Sequence, residues 1–170
     1  MKSEIKTALI LGLVIAVGVR IIRALFSSLD DELKSENTSE NSISKINKLG
    51  LKMAPDLVGI AHYFNTIPEE LNEKVKDNVV LYDIWTYRCI NCVRILPFIT
   101  AWDEKYSDQG LLIIGIHSPE FEFEKDVENV RLAVSKHGIQ YPVVLDNDMD
   151  TWKAFENRYW SRKYIADHEG

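Results

Sequence analysis

Residues 79–97 read VVLYDIWTYRCINCVRILP and contain the only two cysteines of the chain, Cys89 and Cys92. The apolar run 79–86 is typical of a buried strand, and the residues from Cys89 onward have the apolar spacing of a helix. A Cys-x-x-Cys pair at this junction places one sulfur at a helix N-terminus. Unpaired N–H groups and the positive end of the helix dipole favour the thiolate there. The stretch therefore predicts thiol-disulfide exchange chemistry.

The same strand carries a carboxyl group. Asp83 lies six residues before Cys89 among apolar neighbours, and burying a carboxylate is costly unless it is paired or used in chemistry. Trp85 precedes Cys89 by four residues, and Pro97 follows Cys92 by five. These five positions together resemble the thioredoxin family. The resemblance implies a thioredoxin-like α/β fold in which Cys89 attacks a disulfide, Cys92 resolves the mixed disulfide, and Asp83 exchanges a proton with the Cys92 thiol.

Further stretches extend the resemblance to residues 54–167, where the chain is similar to the extracytoplasmic redoxins of the TlpA and DipZ type. These stretches are 85–92, 96–97, 115–121, 141–143 and 145–148. The resemblance implies an enzyme, a membrane-tethered thiol-disulfide oxidoreductase that acts on protein thiols or disulfides and exchanges electrons with a membrane or extracytoplasmic redox protein. It implies no organic cofactor and no metal, because the Cys89–Cys92 pair carries the electrons itself.

Four other residues are candidate contacts for the substrate. Arg88 is expected to help hold the Cys89 thiolate, and Trp85 to shield the disulfide while it packs in the core. Trp160 and Ser161 occupy the place where thioredoxin-like domains have a cis-proline opposite the sulfurs. A serine there predicts a trans peptide bond, because a non-proline cis bond costs about 2.5 to 4 kcal/mol. The loop that faces the disulfide is therefore expected to differ in shape from that of the family.

Apolar runs alternate with helical patterns along the rest of the chain. Strands are expected at 57–64, 79–86, 111–117, 142–145 and 163–166, and helices at 89–106, 123–137 and 149–158. In the first helix the expected buried face consists of Ile95, Phe98, Ile99 and Trp102. The alternation predicts a mainly parallel sheet with helices on both faces. Little sequence follows residue 166, so the domain 54–170 is expected to lack the last strand and helix of the family and to be C-terminally incomplete.

The N-terminal part of the chain has a different composition. Residues 7–19 are uncharged and mostly aliphatic, and the segment counted through Phe26 is just long enough to span a bilayer as a helix. We interpret residues 1–26 as a transmembrane anchor or uncleaved signal, with a cleaved signal peptide as the alternative. Residues 27–53 are rich in Ser, Asn, Glu and Lys, which predicts a flexible polar linker. The family resemblance places the domain outside the cytoplasmic membrane.

Two other classes of function remain as alternatives. Thr86-x-x-Cys89 matches the Thr-x-x-Cys of peroxiredoxin-type thiol peroxidases, but the proline of that family would fall at Tyr82, within the strand. Two cysteines also supply half a zinc site, which leaves a non-catalytic metal-binding or chaperone module as the second alternative. The formal net charge of −6 without a basic cluster argues against nucleic acid as a partner.

Overall fold

The described part of the protein, residues 50–170 of a computed structural model, is a sheet of five strands with helices packed against it. In chain order the elements are β1 (His62–Phe64), α1 (Pro68–Asp77), β2 (Val79–Trp85), α2 (Ile90–Tyr106), a 3-10 turn (Ser107–Gln109), β3 (Leu111–His117), a 3-10 turn (Glu122–Lys125), α3 (Val127–Lys136), β4 (Val143–Leu145), α4 (Asp150–Ala154) and β5 (Arg162–Ala166). The predicted anchor at 1–26 and the predicted linker up to residue 49 lie outside the described residues. Within residues 50–170, no helix has both the length and the apolar character needed to cross a bilayer.

The sheet is mixed, with the strand order β1-β4-β3-β2-β5. The central pairs β2-β3 and β3-β4 are parallel, because a helical crossover lies between each strand and the next. The edge pairs β1-β4 and β2-β5 are antiparallel. The prediction of a mainly parallel sheet is therefore correct for the centre and wrong for the edges, since no βαβ crossover joins β1 or β5 to its sheet neighbour.

Alternate residues of β2 point to opposite faces of the sheet, and each face has its own hydrophobic cluster. The cluster under α2 and α3 contains Leu81, Trp85, Cys92, Leu96, Ile99, Val130 and Val134. The opposite cluster contains Val80, Tyr82, Ile84, Leu71 of α1 and Phe155. Helices therefore cover both faces, as the sequence predicts. By the same alternation Asp83 lies on the α2 face, between Leu81 and Trp85.

The helices differ from the prediction in three respects. The sequence did not predict α1, because the segment is strongly polar and Leu71 is the buried residue among its ten. Two predicted helices are shorter: 149–158 covers Asp150–Ala154, and 123–137 is a 3-10 turn followed by Val127–Lys136. The α2 helix has the expected bounds, but Phe98 and Trp102 are 63% and 43% exposed. Its buried residues are Cys92, Leu96 and Ile99, which lie four and three residues apart and so share one face of the helix.

The peptide bond between Trp160 and Ser161 is cis, so the prediction of a trans bond is wrong. The trans bond was predicted from the intrinsic free-energy cost of a non-proline cis peptide bond, without the contacts that hold Trp160 and Arg162 on either side of the bond. The Trp160 indole donates a hydrogen bond to the Ser118 carbonyl at 2.9 Å, and its ring packs on Trp152 with a centroid distance of 4.5 Å. On the other side, Arg162 begins β5 and pairs with β2. Tertiary contacts therefore override the local preference.

Candidate active site

The two cysteines lie at the start of α2 and differ sharply in exposure. Cys89 is the N-cap residue of the helix, and its Sγ accepts a hydrogen bond from the Cys92 backbone N–H at 3.3 Å. Cys89 is partly exposed, whereas Cys92 is fully buried, and both are free thiols. The arrangement gives a reagent access to the first sulfur and encloses the second in the core.

The environment of Cys92 makes its thiol a poor acid. Burial, a hydrogen bond with Cys89 and the nearby charge of Asp83 together raise the pKa of Cys92 to about 12. Of these causes burial is the largest, because a thiolate in the core loses its hydration. Cys92 therefore keeps its proton at neutral pH, and its reaction as a nucleophile requires a base.

Asp83 is a fully buried carboxyl group on the same face of the sheet as Cys92. Burial raises the pKa of Asp83, and the Lys163 ammonium opposes this rise. The Lys163 Nζ lies 2.8 Å from Asp83 Oδ1 as an ion pair, while Oδ2 has no hydrogen-bonding partner among residues 50–170. One carboxylate oxygen is thus held by a cation and the other is left available to a proton.

The predicted substrate contacts at the C-terminal end are joined to this carboxyl group through Lys163. Its ammonium also donates a hydrogen bond to the Ser161 hydroxyl. Lys163 lies in β5, directly opposite Asp83 in the antiparallel pair with β2. The Trp160–Ser161 loop, predicted to face the sulfurs, is therefore connected to the buried acid by one side chain. Lys163 is not among the residues predicted for the site, although a buried carboxylate in a strand is itself a signal that a cation is needed nearby.

The two predicted contacts before the motif are placed differently. Trp85 is fully buried and packs edge-on against His117 at 5.3 Å, so in this dithiol state it offers no surface to a substrate. Arg88 is exposed, and its backbone N–H donates to Glu124 Oε1 at 3.3 Å. The role of its guanidinium group in holding the thiolate remains a prediction.

His117 ends β3 at the same edge of the sheet as the motif. Its ring stacks on Tyr87 at 5.5 Å and is fully buried. Burial lowers the pKa of His117 to about 4, so the imidazole is neutral at physiological pH. Neither ring nitrogen has a hydrogen-bonding partner among the described residues. In the same range, no group of three or more His, Cys, Asp and Glu side chains is arranged to hold a metal ion.

Glu124 is a buried carboxylate that the sequence analysis missed. It accepts hydrogen bonds from the Thr86 hydroxyl and from the backbone N–H groups of Arg88, Glu120 and Phe121. Its position as the third residue of a 3-10 turn, with its side chain on the backbone N–H of the residue before that turn, is the pattern of a helix-capping glutamate. The N-cap residue is Phe121 and not the Ser or Thr of a capping box, so the local sequence carries no signal that could have found Glu124.

Comparison with known proteins gives related sequences but no matching family model. The chain is 44% identical over 120 residues to protein DipZ of Mycobacterium tuberculosis (strain CDC 1551 / Oshkosh), covering 69% of this chain and 17% of DipZ. It is 28% identical over 118 residues to the thiol-disulfide oxidoreductase YkuV of Bacillus subtilis, covering 68% of this chain and 77% of YkuV.

A solved structure of a thioredoxin-like protein in its oxidised form has a TM-score of 0.61 to this protein at 27% identity, covering 69% of this chain and 78% of that one. The chain spans 17% of the length of DipZ, so the similarity to that relative concerns one of its parts. The β2-motif-α2 arrangement with Asp83, the relatives and the shared fold agree, and the chain belongs to the thioredoxin-like redoxins of the TlpA and DipZ type.

Proposed function

We propose that the protein is a membrane-tethered thiol-disulfide oxidoreductase that exchanges disulfides through Cys89-Ile-Asn-Cys92. The observation that carries the proposal is the pairing of a partly exposed Cys89 at the N-terminus of α2 with a fully buried Cys92. A partner can reach the first sulfur, and the second is held where it meets only the first. This asymmetry is what exchange through a mixed disulfide requires.

Exchange takes place in two displacement steps. The Cys89 thiolate attacks one sulfur of a partner disulfide, so that a mixed disulfide forms and the other partner sulfur leaves as a thiolate. Cys92 then loses its proton and attacks Cys89 Sγ, which breaks the mixed disulfide and releases the second partner thiolate. Two electrons pass from the dithiol to the partner, and the reverse sequence oxidises a partner dithiol. The scheme uses no organic cofactor.

Asp83 is the base for the second step. The pKa of Cys92 at about 12 means that its proton must be taken up by another group during resolution. Asp83 is near enough for its charge to contribute to that raised pKa. Burial also raises the pKa of Asp83, with Lys163 opposing the rise. The proton affinity of the carboxylate is thereby moved toward that of the thiol, which favours proton transfer between them.

The substrate is an accessible disulfide or dithiol of another protein, and the electron partner is a redox protein in the membrane or on its outer side. The mixed disulfide requires the partner chain to pass over the exposed edge that carries Cys89. We place the Trp160–Ser161 loop beside that path, because Ser161 and Asp83 share the Lys163 ammonium. The uncharged segment 7–19 followed by a polar stretch supports a tether.

Reduction of insulin disulfides with dithiothreitol as the electron source tests the reaction. Cys89→Ser should abolish turnover. Cys92→Ser should lose turnover, and when it is incubated with insulin in the absence of dithiothreitol it should accumulate a mixed disulfide, seen as a mass increase that added dithiothreitol reverses. Turnover by Cys89→Ser at the rate of the unmodified protein would contradict the proposal.

The tether and the side of the membrane need a separate experiment on the full chain. We expect the protein to remain with the membrane fraction after a high-salt wash. A membrane-impermeant thiol reagent should label Cys89 on intact cells, and lysed cells provide the control for complete labelling. Recovery in the soluble fraction would remove the tether, and labelling that needs lysis would place the domain inside.

The peroxidase and the metal-binding module remain alternative predictions. Thr86, which suggests the peroxidase, is fully buried and donates its hydroxyl hydrogen bond to Glu124. Peroxide consumption that depends on Cys89 and not on Cys92 would favour the peroxidase. Stoichiometric copper or zinc in protein purified under reducing conditions would favour the metal-binding module.

A further inference from the structure

Glu124 connects two segments that both lie at the edge of the sheet carrying the motif. Its Oε1 accepts from the Thr86 hydroxyl and from the Arg88 N–H at 3.3 Å, both in the turn that leads into Cys89. Its Oε2 accepts from the N–H groups of Glu120 and Phe121 at 2.7 and 2.9 Å, both in the loop after β3. Each carboxylate oxygen therefore serves one segment, and the carboxylate joins the two.

The side chain is fully buried. Burying a carboxylate without partners carries a large desolvation penalty, and hydrogen bonds to the charged form offset it. An apolar side chain could fill the same space, but it could not accept the four donors that now face Glu124. The carboxylate is thus held in place by the two segments that it joins.

The turn held by Glu124 sets the position of the nucleophile. Cys92 is fixed by α2 in the core. Cys89 is held from the helix side as the N-cap of α2, where its carbonyl accepts the Val93 N–H at 3.0 Å, and from the strand side through residues 86–88. The turn is closed by the Cys89 N–H, which donates to the Thr86 carbonyl at 3.2 Å. The spacing of the two sulfurs therefore depends on both sides, and residues 86–88 are the side that Glu124 holds.

We infer that Glu124 is a positioning residue of the redox site, which keeps Cys89 at bonding distance from Cys92 by pinning the Thr86–Arg88 turn to the loop after β3. The inference rests on the proposed function, because it assumes that the two sulfurs form a reversible disulfide. Pinning raises the effective concentration of one thiol at the other, which stabilises the disulfide relative to the dithiol.

Glu124→Gln tests the bridge with almost no change of volume. A glutamine has one carbonyl oxygen, so it can accept from one segment and presents an NH₂ group to the donors of the other. The measurement is the equilibrium constant of the Cys89–Cys92 disulfide against glutathione. We expect it to fall at least about tenfold, equivalent to a potential about 30 mV less reducing.

Asp146→Asn is the matched control. Asp146 is also fully buried and accepts from the Ser118 hydroxyl and from the N–H groups of Thr151 and Trp152, so it anchors the start of α4 and not the Thr86–Arg88 turn. This control should lower the melting temperature while leaving the disulfide equilibrium unchanged. A merely structural Glu124 would behave in the same way as this control.

A second pair of variants covers the case in which Glu124→Gln does not fold. Thr86→Val removes the hydroxyl donor and should lower the equilibrium constant of the disulfide. Thr86→Ser keeps the donor and should leave that constant at the value of the unmodified protein. An unchanged constant in Glu124→Gln, or in Thr86→Val if Glu124→Gln does not fold, would overturn the inference. If the unmodified protein forms no reversible disulfide with glutathione, the proposed function fails and takes the inference with it.

Discussion

Replacement of Asp83 by asparagine should separate the two steps of exchange. At pH 7, which is five units below the Cys92 pKa of about 12, only about one Cys92 in 10⁵ carries a thiolate without help. A positioned general base typically contributes about 10² to 10⁴ in rate. Asp83→Asn should therefore slow resolution by about that factor. A partial compensation is expected, because removal of the Asp83 charge lowers the pKa of Cys92.

The assay is a single turnover with a symmetric aromatic disulfide whose released thiolate is coloured. Attack by Cys89 releases the first thiolate, and resolution by Cys92 releases the second, so the two steps appear as two phases. In Asp83→Asn the first phase should keep its rate and the second should slow. The slow phase should also accelerate about tenfold for each pH unit, because it then depends on the spontaneous thiolate fraction.

Cys92→Ser supplies the control, since it should show the first phase alone. The role of Asp83 as the base would be refuted if the second phase in Asp83→Asn kept a rate within about threefold of that of the unmodified protein at pH 7. Such a small loss of rate falls far short of the loss expected on removal of a general base. Equal slowing of both phases would point instead to a distorted site.

Three further predictions follow from the surroundings of Asp83 and from the packing of β3. Lys163→Met should shift the acid limb of the pH profile of the resolution rate to higher pH, because it removes the ion pair that opposes the burial-raised pKa of Asp83. Lys163→Arg should retain most of the original profile. An unmoved acid limb in Lys163→Met would contradict the effect of Lys163 on the pKa of Asp83. In denaturant titrations, Asp83→Asn should increase the free energy of unfolding more at pH 7 than at pH 3. Because the pKa of Asp83 is raised in the folded state, the protonated carboxyl is accommodated in acid, and the protein loses stability as pH rises through that pKa. An equal gain in the free energy of unfolding at pH 3 and pH 7 would contradict this pH dependence. Gly115→Ala should destabilise the domain by about 1 to 3 kcal/mol, because the alanine Cβ would lie 3.0 Å from Trp85 Nε1 and 3.2 Å from a Val143 methyl group. A melting temperature equal to that of the unmodified protein would contradict this prediction and show that these neighbours can move aside.

The central part of the fold and of the site was predictable from local sequence. The strand 79–85, the helix from Cys89 and the strand 111–117 carry strong apolar periodicity, and the motif at the first junction marks the reactive edge. A buried carboxyl group was also readable, since Asp83 interrupts an otherwise apolar strand. These features depend on residues close together in the chain, which is why the sequence alone reveals them.

The features that the sequence analysis missed depend on contacts between distant residues. The partner of Asp83 is Lys163, which is brought opposite it by the antiparallel pairing of β5. The cis bond at Trp160–Ser161 is held by contacts to Ser118 and Trp152. The α1 helix has too little apolar surface to show a pattern. In α2, apolar residues occur on more than one face, so periodicity alone does not decide between the buried Leu96 and the exposed Phe98.

The most direct test of the account is the selectivity of alkylation in the fully reduced protein. A short exposure to one equivalent of iodoacetamide, followed by peptide mapping, should place the label on Cys89 and leave Cys92 unmodified. Insulin reduction should be lost in proportion to the label. Equal labelling of both cysteines, or full activity after Cys89 is blocked, would contradict the claim that an accessible first sulfur and an enclosed second one make up the reactive centre.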